Sequence, residues 1–357
     1  MTTQDSNNSQ QNGGDSAPKP ASKPGNSRTR RRAAQRAKAA EAARQRQEQE
    51  ARERRTRSII LAVAALIVVV ALIAGIIIWN KNSSKTTDTA AQASEEQSAY
   101  AALQETLKTV QNIPSHATAQ GGFVITKNYD YQKIDGAPTI EEYFDPLCPG
   151  CGSLNRKIDT ELETMVKAGQ INLEIHPNGF LDQLTTDQYP TRAAAAIAYV
   201  AENDPEHVLD FIKGLYAEDF QPSETNYKAV SDADIQQVAT DAGVAADVAS
   251  HCTDGTYIEW VDAMHTYTPH RAITKNVEGN NKGSMTTPTI IINGYFWNLV
   301  ELTSSDYAQL ILQAIGLDES NVGTDVMPSI GSDGAPLVGA NYLSSSDSAS
   351  SSSSSSK

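Results

Sequence analysis

The sequence predicts an α/β domain that is interrupted by an all-helical insertion and preceded by a single transmembrane helix. Three observations carry this prediction. Strand, helix and strand patterns follow one another between residues 139 and 175, with Cys148-Pro149-Gly150-Cys151 where the first strand hands over to the helix. From about 190 to 275 only helical patterns occur, and two short apolar strands then meet across Asn293-Gly294, a strong hairpin signal. Residues 59–79 form a run of 21 residues without charge or proline, the length a bilayer-spanning helix requires.

Residues 1–27 are rich in Gln, Asn, Ser, Gly and Pro and are expected to be disordered. Residues 28–57, rich in Ala, Arg, Gln and Glu, read as a basic helical segment that leads into the span. The apolar run at 59–79 is too long for the core of a cleaved secretory signal. Ala91-Gln92-Ala93, which resembles a cleavage tripeptide, lies well beyond it. Residues 1–58 carry a net charge of +8 and residues 80–357 a net −22, within a total of −14. Arg52, Arg54, Arg55 and Arg57 crowd the near flank, so the positive-inside rule places the N-terminus in the cytoplasm and the large C-terminal part outside. The basic segment needs no partner beyond this topology signal, although it could also lie against anionic lipid. The acidic outer part makes nucleic acid an unsuitable partner.

After a polar linker, residues 94–111 read as a stalk helix, which makes 80–119 a linker and stalk. The folded domain is expected over 120–320. Residues 123–126 and 139–144 are strands, 154–168 a helix closed by Gly169, and 171–175 a strand, parallel to the one before the helix because a helical crossover joins them. The insertion, about 190–275, holds helices over 191–203, 206–217, 232–242 and 257–274, with Pro269 kinking or ending the last. Strands at 289–292 and 295–297 and a closing helix over 304–315 complete the domain. Gly, Pro and Ser dominate from about 322, so 321–357 reads as a disordered, Ser-rich tail.

The CxxC pair has chemical consequences where it stands. Unpaired N–H groups and the helix dipole favour negative charge at a helix N-terminus. A thiolate at Cys148 is therefore favoured and its pKa lowered. Pro149 suits the first helical position. Cys151, one turn on and less exposed, is placed to resolve a mixed disulfide formed at Cys148. Other readings compete. A structural zinc site needs four ligands, yet Cys252 is the one further cysteine and no close His pair exists. A staple that encloses two residues removes little chain entropy. Chance spacing is the third alternative.

With Cys148-Pro149-Gly150-Cys151 after a Glu-aromatic strand, a helical section, and Thr287-Pro288-Thr289 before an apolar strand and Asn293-Gly294, the chain resembles the DsbA-like branch of the thioredoxin superfamily over roughly 120–317. The resemblance implies a thioredoxin fold with a helical insertion. It implies that Pro288 is cis and faces the CxxC, and that the backbone at Thr287 pairs with an extended substrate segment. An ordinary strand-start proline is the alternative. Glu142 matches a buried acid that moves protons, which could take the Cys151 proton during resolution; a strand carboxylate facing water is its alternative, as for one of Glu141 and Glu142. Two features depart from the family pattern. Gly150 replaces the His that often stabilises the thiolate, and residues 279–286 form a longer, more polar approach to Pro288. Cys252 reads as a buried small hydrophobe, and His176 as structural.

The leading expectation is thus a membrane-anchored, extracytoplasmic protein thiol–disulfide oxidoreductase. Its catalytic residues would be Cys148, Cys151, Glu142, Thr287 and Pro288, and it would use no cofactor or metal. It would oxidise exported proteins that carry free thiols, and a membrane redox partner would recycle it. A reductase or isomerase fed by a membrane electron carrier, and a non-catalytic thioredoxin-like binding module, are the alternatives.

Overall fold

The computed structural model describes residues 87–299 and 306–341. The expected span at 59–79, the segments N-terminal to it and the serine run at 342–357 lie outside the described residues. Among the described residues no helix is long and apolar enough to cross a membrane. Every described residue belongs to the unit Asn82–Lys357.

Six strands form one sheet: β1 (Phe123–Ile125), β2 (Thr139–Phe144), β3 (Asn172–Pro177), β4 (Thr289–Ile292), β5 (Tyr295–Trp297) and β6 (Ala340–Asn341), in the order β1-β3-β2-β4-β5-β6. β2 and β3 are parallel and joined by the crossover helix α2 (Pro149–Ala168); the other neighbours are antiparallel. This is the thioredoxin-type α/β arrangement that the sequence predicts. Strand alternation sorts the side chains of β2. Ile140 and Phe144 enter the main core, while Tyr143 joins a small second cluster with Ile291 and Phe296. Glu142 therefore shares the main-core face and is 5% exposed, whereas Glu141 shares the Tyr143 face and accepts a hydrogen bond from the Tyr143 hydroxyl at 2.8 Å.

α2 ends where Gly169 adopts φ 75°, the left-handed conformation that a side chain would resist. Between β3 and β4 come α3 (Tyr189–Asn203), α4 (Val208–Leu215), α5 (Asp232–Asp241), α6 (Ala246–His251) and α7 (Ile258–Tyr267). α6 is too short to show a periodic pattern in the sequence. The helix expected to reach 274 stops at Tyr267, and two short 3₁₀ turns, Thr268–His270 and Ala272–Thr274, carry the chain past Pro269. A last helix, α8 (Tyr307–Ile315), is capped by Gly316.

Two expected boundaries are corrected. The helix read as a stalk, α1 (Thr87–Leu107), is docked on the domain instead of standing apart. Leu103 is 3% exposed, and the rings of Tyr100 and Tyr267 lie 5.7 Å apart. Glu95 pairs with His270 at 2.9 Å and Lys275 at 3.1 Å, and Glu96 accepts the Ala272 N–H at 3.0 Å. The domain therefore begins well before 120. Leu103→Ala should lower stability by about 2–5 kcal/mol, read by chemical denaturation of the full-length protein. A free stalk would show no change.

The second correction concerns the tail. Residues 321–341 are ordered against the domain rather than disordered. Gln170 donates to the carbonyls of Asn321 (2.8 Å) and Val326 (2.6 Å) and accepts the Gly323 N–H (2.9 Å). The Leu337 N–H bonds Ala314 O at 2.8 Å, and Trp297 Nε1 donates to Val338 O at 2.9 Å. β6 then extends the sheet beside β5. These anchors are backbone groups, which leave no hydrophobic periodicity to read.

Candidate active site

The first strand-to-helix junction builds the site. Asp145, buried after β2, accepts the Leu147 N–H on Oδ1 (2.8 Å) and the Leu181 N–H on Oδ2 (2.9 Å), while its carbonyl accepts the Cys148 N–H (3.0 Å). This aspartate turn delivers Cys148 to the N-cap of α2, with Pro149 at the first helical position. Cys148 Sγ accepts the Cys151 N–H at 3.4 Å and lies 3.4 Å from the Thr287 carbonyl. Both cysteines are free thiols; Cys148 is 8% exposed and Cys151 0%.

The two thiols are driven apart electrostatically. A hydrogen bond from the Cys151 side chain does most to hold Cys148 down, at about 6. The Thr287 side chain and the N–H groups of Cys151 and Gly150 add to it, against burial, which opposes it. Burial, and then Cys148 itself, push the Cys151 thiol well above its ordinary value. A thiolate at physiological pH is thus paired with a protonated thiol one turn below.

The Thr287-Pro288 bond is cis, as the resemblance implies, and the loop that holds it packs over the motif. A Cβ placed on Gly150 would come within 3.3 Å of Pro288 Cδ, so glycine here permits the close approach of this loop. Glu142 lies within the core below the motif, and burial raises it to about 7. The five residues expected at the site are therefore found at the head of α2 (Cys148 as its N-cap and Cys151 in its first turn), on the loop before β4 (Thr287 and Pro288) and on β2 (Glu142).

Sequence reasoning missed the residues that brace this arrangement. Asp145, raised to about 7 chiefly by burial, is one. The insertion supplies others. The Tyr216 hydroxyl donates to Asp145 O at 2.9 Å. Gln221 Nε2 donates to Cys148 O at 3.0 Å, and Arg156 bonds Gln221 Oε1 at 3.2 Å. Gln221 packs so closely on Gly152 that a Cβ there would collide with its amide. Nothing local in the sequence signals Gln221, because its partners are backbone carbonyls some seventy residues away. Asn155 and Asp159 were missed as well, although their repetition of the Cys151 position at one-turn intervals along α2 could have found them.

Cys252 is 2% exposed and donates to Ala249 O at 3.2 Å; burial lifts its thiol to about 12, which fits an inert core position. His176 is also structural. It is 2% exposed and stacks on Tyr143 with centroids 4.0 Å apart, beside Glu174 at 3.4 Å.

A family model described as Thioredoxin matches residues 133–311, half of the chain. The chain belongs to the thioredoxin family. The matched segment contains the CxxC, Glu142 and the cis-proline loop of this family member. Serine/threonine-protein kinase PknE of Mycobacterium tuberculosis is 36% identical over 107 residues, which are 29% of this chain and 19% of that protein. The chain thus spans about a fifth of the length of the curated relatives it matches. Among solved structures, reduced DsbA from Mycobacterium tuberculosis is 25% identical, with 53% of this chain and 89% of that chain covered and a TM-score of 0.43. MdbA, a thiol-disulfide oxidoreductase from Corynebacterium diphtheriae, is 20% identical over 58% of this chain and 98% of that chain, also with a TM-score of 0.43.

Proposed function

We propose that this thioredoxin-family chain is a DsbA-like thiol–disulfide oxidoreductase, held in the cell membrane by residues 59–79 with its domain outside, and that it oxidises exported proteins. One observation carries the reading: Cys148 caps α2 as a thiol held at about 6, directly above a buried, protonated Cys151 and against the cis-Pro288 loop. A low-pKa thiol is a good leaving group. That property favours giving a disulfide away over keeping one, and it offsets the lack of a side chain at Gly150.

In the proposed cycle the domain begins with a Cys148–Cys151 disulfide. A substrate thiolate attacks Cys148 Sγ, the bond to Cys151 breaks, and Cys151 leaves as a thiolate that takes a proton from Glu142. The second substrate thiolate attacks the substrate sulfur of the mixed disulfide. A substrate disulfide forms and Cys148 departs as a stable thiolate. Two electrons have passed from substrate to Cys148 and Cys151, and a membrane redox partner removes them. Thr287 and Pro288 hold the substrate segment as an added strand beside the motif. Stable disulfides suit an extracytoplasmic setting, and the charge asymmetry across 59–79 supports that placement.

The test is direction. The oxidised full-length protein, mixed with a reduced, unfolded secretory substrate, should transfer about one disulfide per molecule, as counted by free-thiol titration, and a membrane-impermeant maleimide should reach Cys148 in intact cells whose envelope admits it. Reduction of oxidised substrate by the dithiol, with no transfer in the oxidising direction, would favour a reductase. Labelling confined to lysed cells would place the domain inside.

A further inference from the structure

Cys151, Asn155 and Asp159 stand at one-turn intervals on one face of α2. Asn155 is 1% exposed; its Nδ2 donates to Asp159, and its Oδ1 has no hydrogen-bond partner among the described residues. An unmet buried polar atom is costly, so a polar residue here needs a reason. Asn155 lines a narrow cavity with room for about one water molecule. Glu142 of β2 and Asp159 line the same cavity, within walls that include Leu162, Leu173, Ile175 and Ile212. On its outer side Asp159 also lines a wider groove with Arg156, Thr160, Lys213 and Glu218. Two acids and an amide thus connect the interior beneath the motif with the surface.

The proposed exchange gives that connection a task, because Glu142 must be reset after each transfer yet is sealed from solvent. We propose that Asp159, held by Asn155, is the outlet through which Glu142 exchanges its proton with solvent beside Lys213. The inference rests on the reading of Glu142 as the proton donor and acceptor for Cys151. When Cys151 leaves as a thiolate, the proton moves from the Glu142 carboxyl to Cys151 Sγ. The Glu142 carboxylate then recovers a proton from Asp159, which takes one from water in the groove. Recycling runs the same transfers backwards, and no electron travels this path.

The surroundings suit the role. The charged groups that face Asp159 are Glu142 from β2, Arg156 and Glu163 from α2, Lys213 from α4, which also pairs with Asp210, and Glu218 after α4. Burial and then Glu142 push Asp159 up, and Lys213 opposes them, so the two acids compete for protons across the cavity. Glu142 itself faces Asp159 and, from the end of α4, Tyr216. Lys213 keeps Glu163 (2.8 Å) and Asp210 (3.3 Å) as partners if Asp159 is neutralised, which favours a folded variant.

The test follows the rate at which the oxidised full-length protein is reduced by a small dithiol, across pH, in dilute and concentrated buffer. Asp159→Asn should slow the reaction about tenfold in dilute buffer near pH 7, a modest share of what general acid–base catalysis can supply. Imidazole or acetate should restore the rate, as should Asp159→Glu, while the thermal midpoint stays near that of the unsubstituted protein. An unchanged rate and pH profile would overturn the outlet. So would a slowing that neither buffer nor glutamate relieves, which is the mark of a structural role. If Glu142→Gln is slow and Asp159→Asn is not, the outlet fails and the reading of Glu142 stands. If the unsubstituted protein does not exchange at all, the oxidoreductase reading falls first and the outlet with it.

Discussion

Cys151→Ala in the full-length chain should leave Cys148 covalently bound to substrate proteins. Cys148 sits at the helix N-cap, where the N–H groups of residues 150 and 151 still favour its thiolate once the Cys151 side chain is gone, so it stays reactive without its partner. Cys151 is one turn away and buried, which makes its attack on a mixed disulfide intramolecular. Well-placed intramolecular groups act at effective concentrations far above any free thiol, so removing Cys151 should prolong the mixed disulfide by roughly a thousandfold or more. Cells that produce the variant should show adducts on non-reducing gels that collapse with dithiothreitol. Cys148→Ser should show none, because the sulfur that carries the adduct is gone. Adducts in neither variant would mean that the pair does not engage proteins, and the binding-module alternative would gain.

The parts of this site that were legible in the sequence are those governed by local rules. A CxxC after a strand, proline at the first helical position and a Thr-Pro ahead of an apolar strand each say what the nearby backbone does, and the structure has Cys148, Pro149 and Pro288 in those places. Period-two alternation also decides Glu142 against Glu141, once Ile140 and Phe144 are known to face the main core. What stayed hidden depends on contacts distant in sequence. Gln221 meets the Cys148 carbonyl from the loop after α4, and Tyr216 meets that of Asp145. The ordered 321–341 segment is held by Gln170 and Trp297, so its Gly, Pro and Ser composition suggests disorder where partners elsewhere supply order. The docking of α1 was obscured for a similar reason: it rests on Leu103, Tyr100 and two adjacent glutamates rather than on a continuous apolar stripe.

The helical insertion therefore does more than fill space between β3 and β4. By holding the carbonyls of Asp145 and Cys148 it fixes the turn that presents the thiolate, and by supplying Lys213 and Glu218 it forms one wall of the groove outside Asp159.

Titration of the reduced protein should show one thiolate, at Cys148, appearing with a midpoint near pH 6, and the redox behaviour should follow from it. Absorbance near 240 nm reports the thiolate directly, and the difference from Cys148→Ser removes other contributions. The Cys151 thiol is pushed up and stays protonated through this range. An ordinary thiol titrates at about 8.5, so the folded value of about 6 is depressed. A depressed acid stabilises the folded, reduced state above its unfolded pKa, and that stabilisation is lost as pH falls through the folded value. With these two values it amounts to about 3 kcal/mol above pH 9, about 1 kcal/mol at pH 7 and almost nothing below pH 5. The oxidised form has no thiolate to gain from this. At pH 7 the dithiol is therefore favoured over the disulfide by that amount, which raises the reduction potential by something on the order of 20 mV. Glu142 and Asp145, both raised to about 7 by burial, carry the opposite sign: they destabilise the fold as pH rises from the ordinary carboxylate range to 7. Their effect falls largely on both redox forms alike, so the difference in denaturation midpoint between reduced and oxidised protein isolates Cys148. That difference should move in favour of the reduced form as pH rises from 5 to 8. A thiolate midpoint near 8.5, or a reduced form that gains nothing over this range, would remove the physical basis for an oxidant in which Gly150 stands between the cysteines.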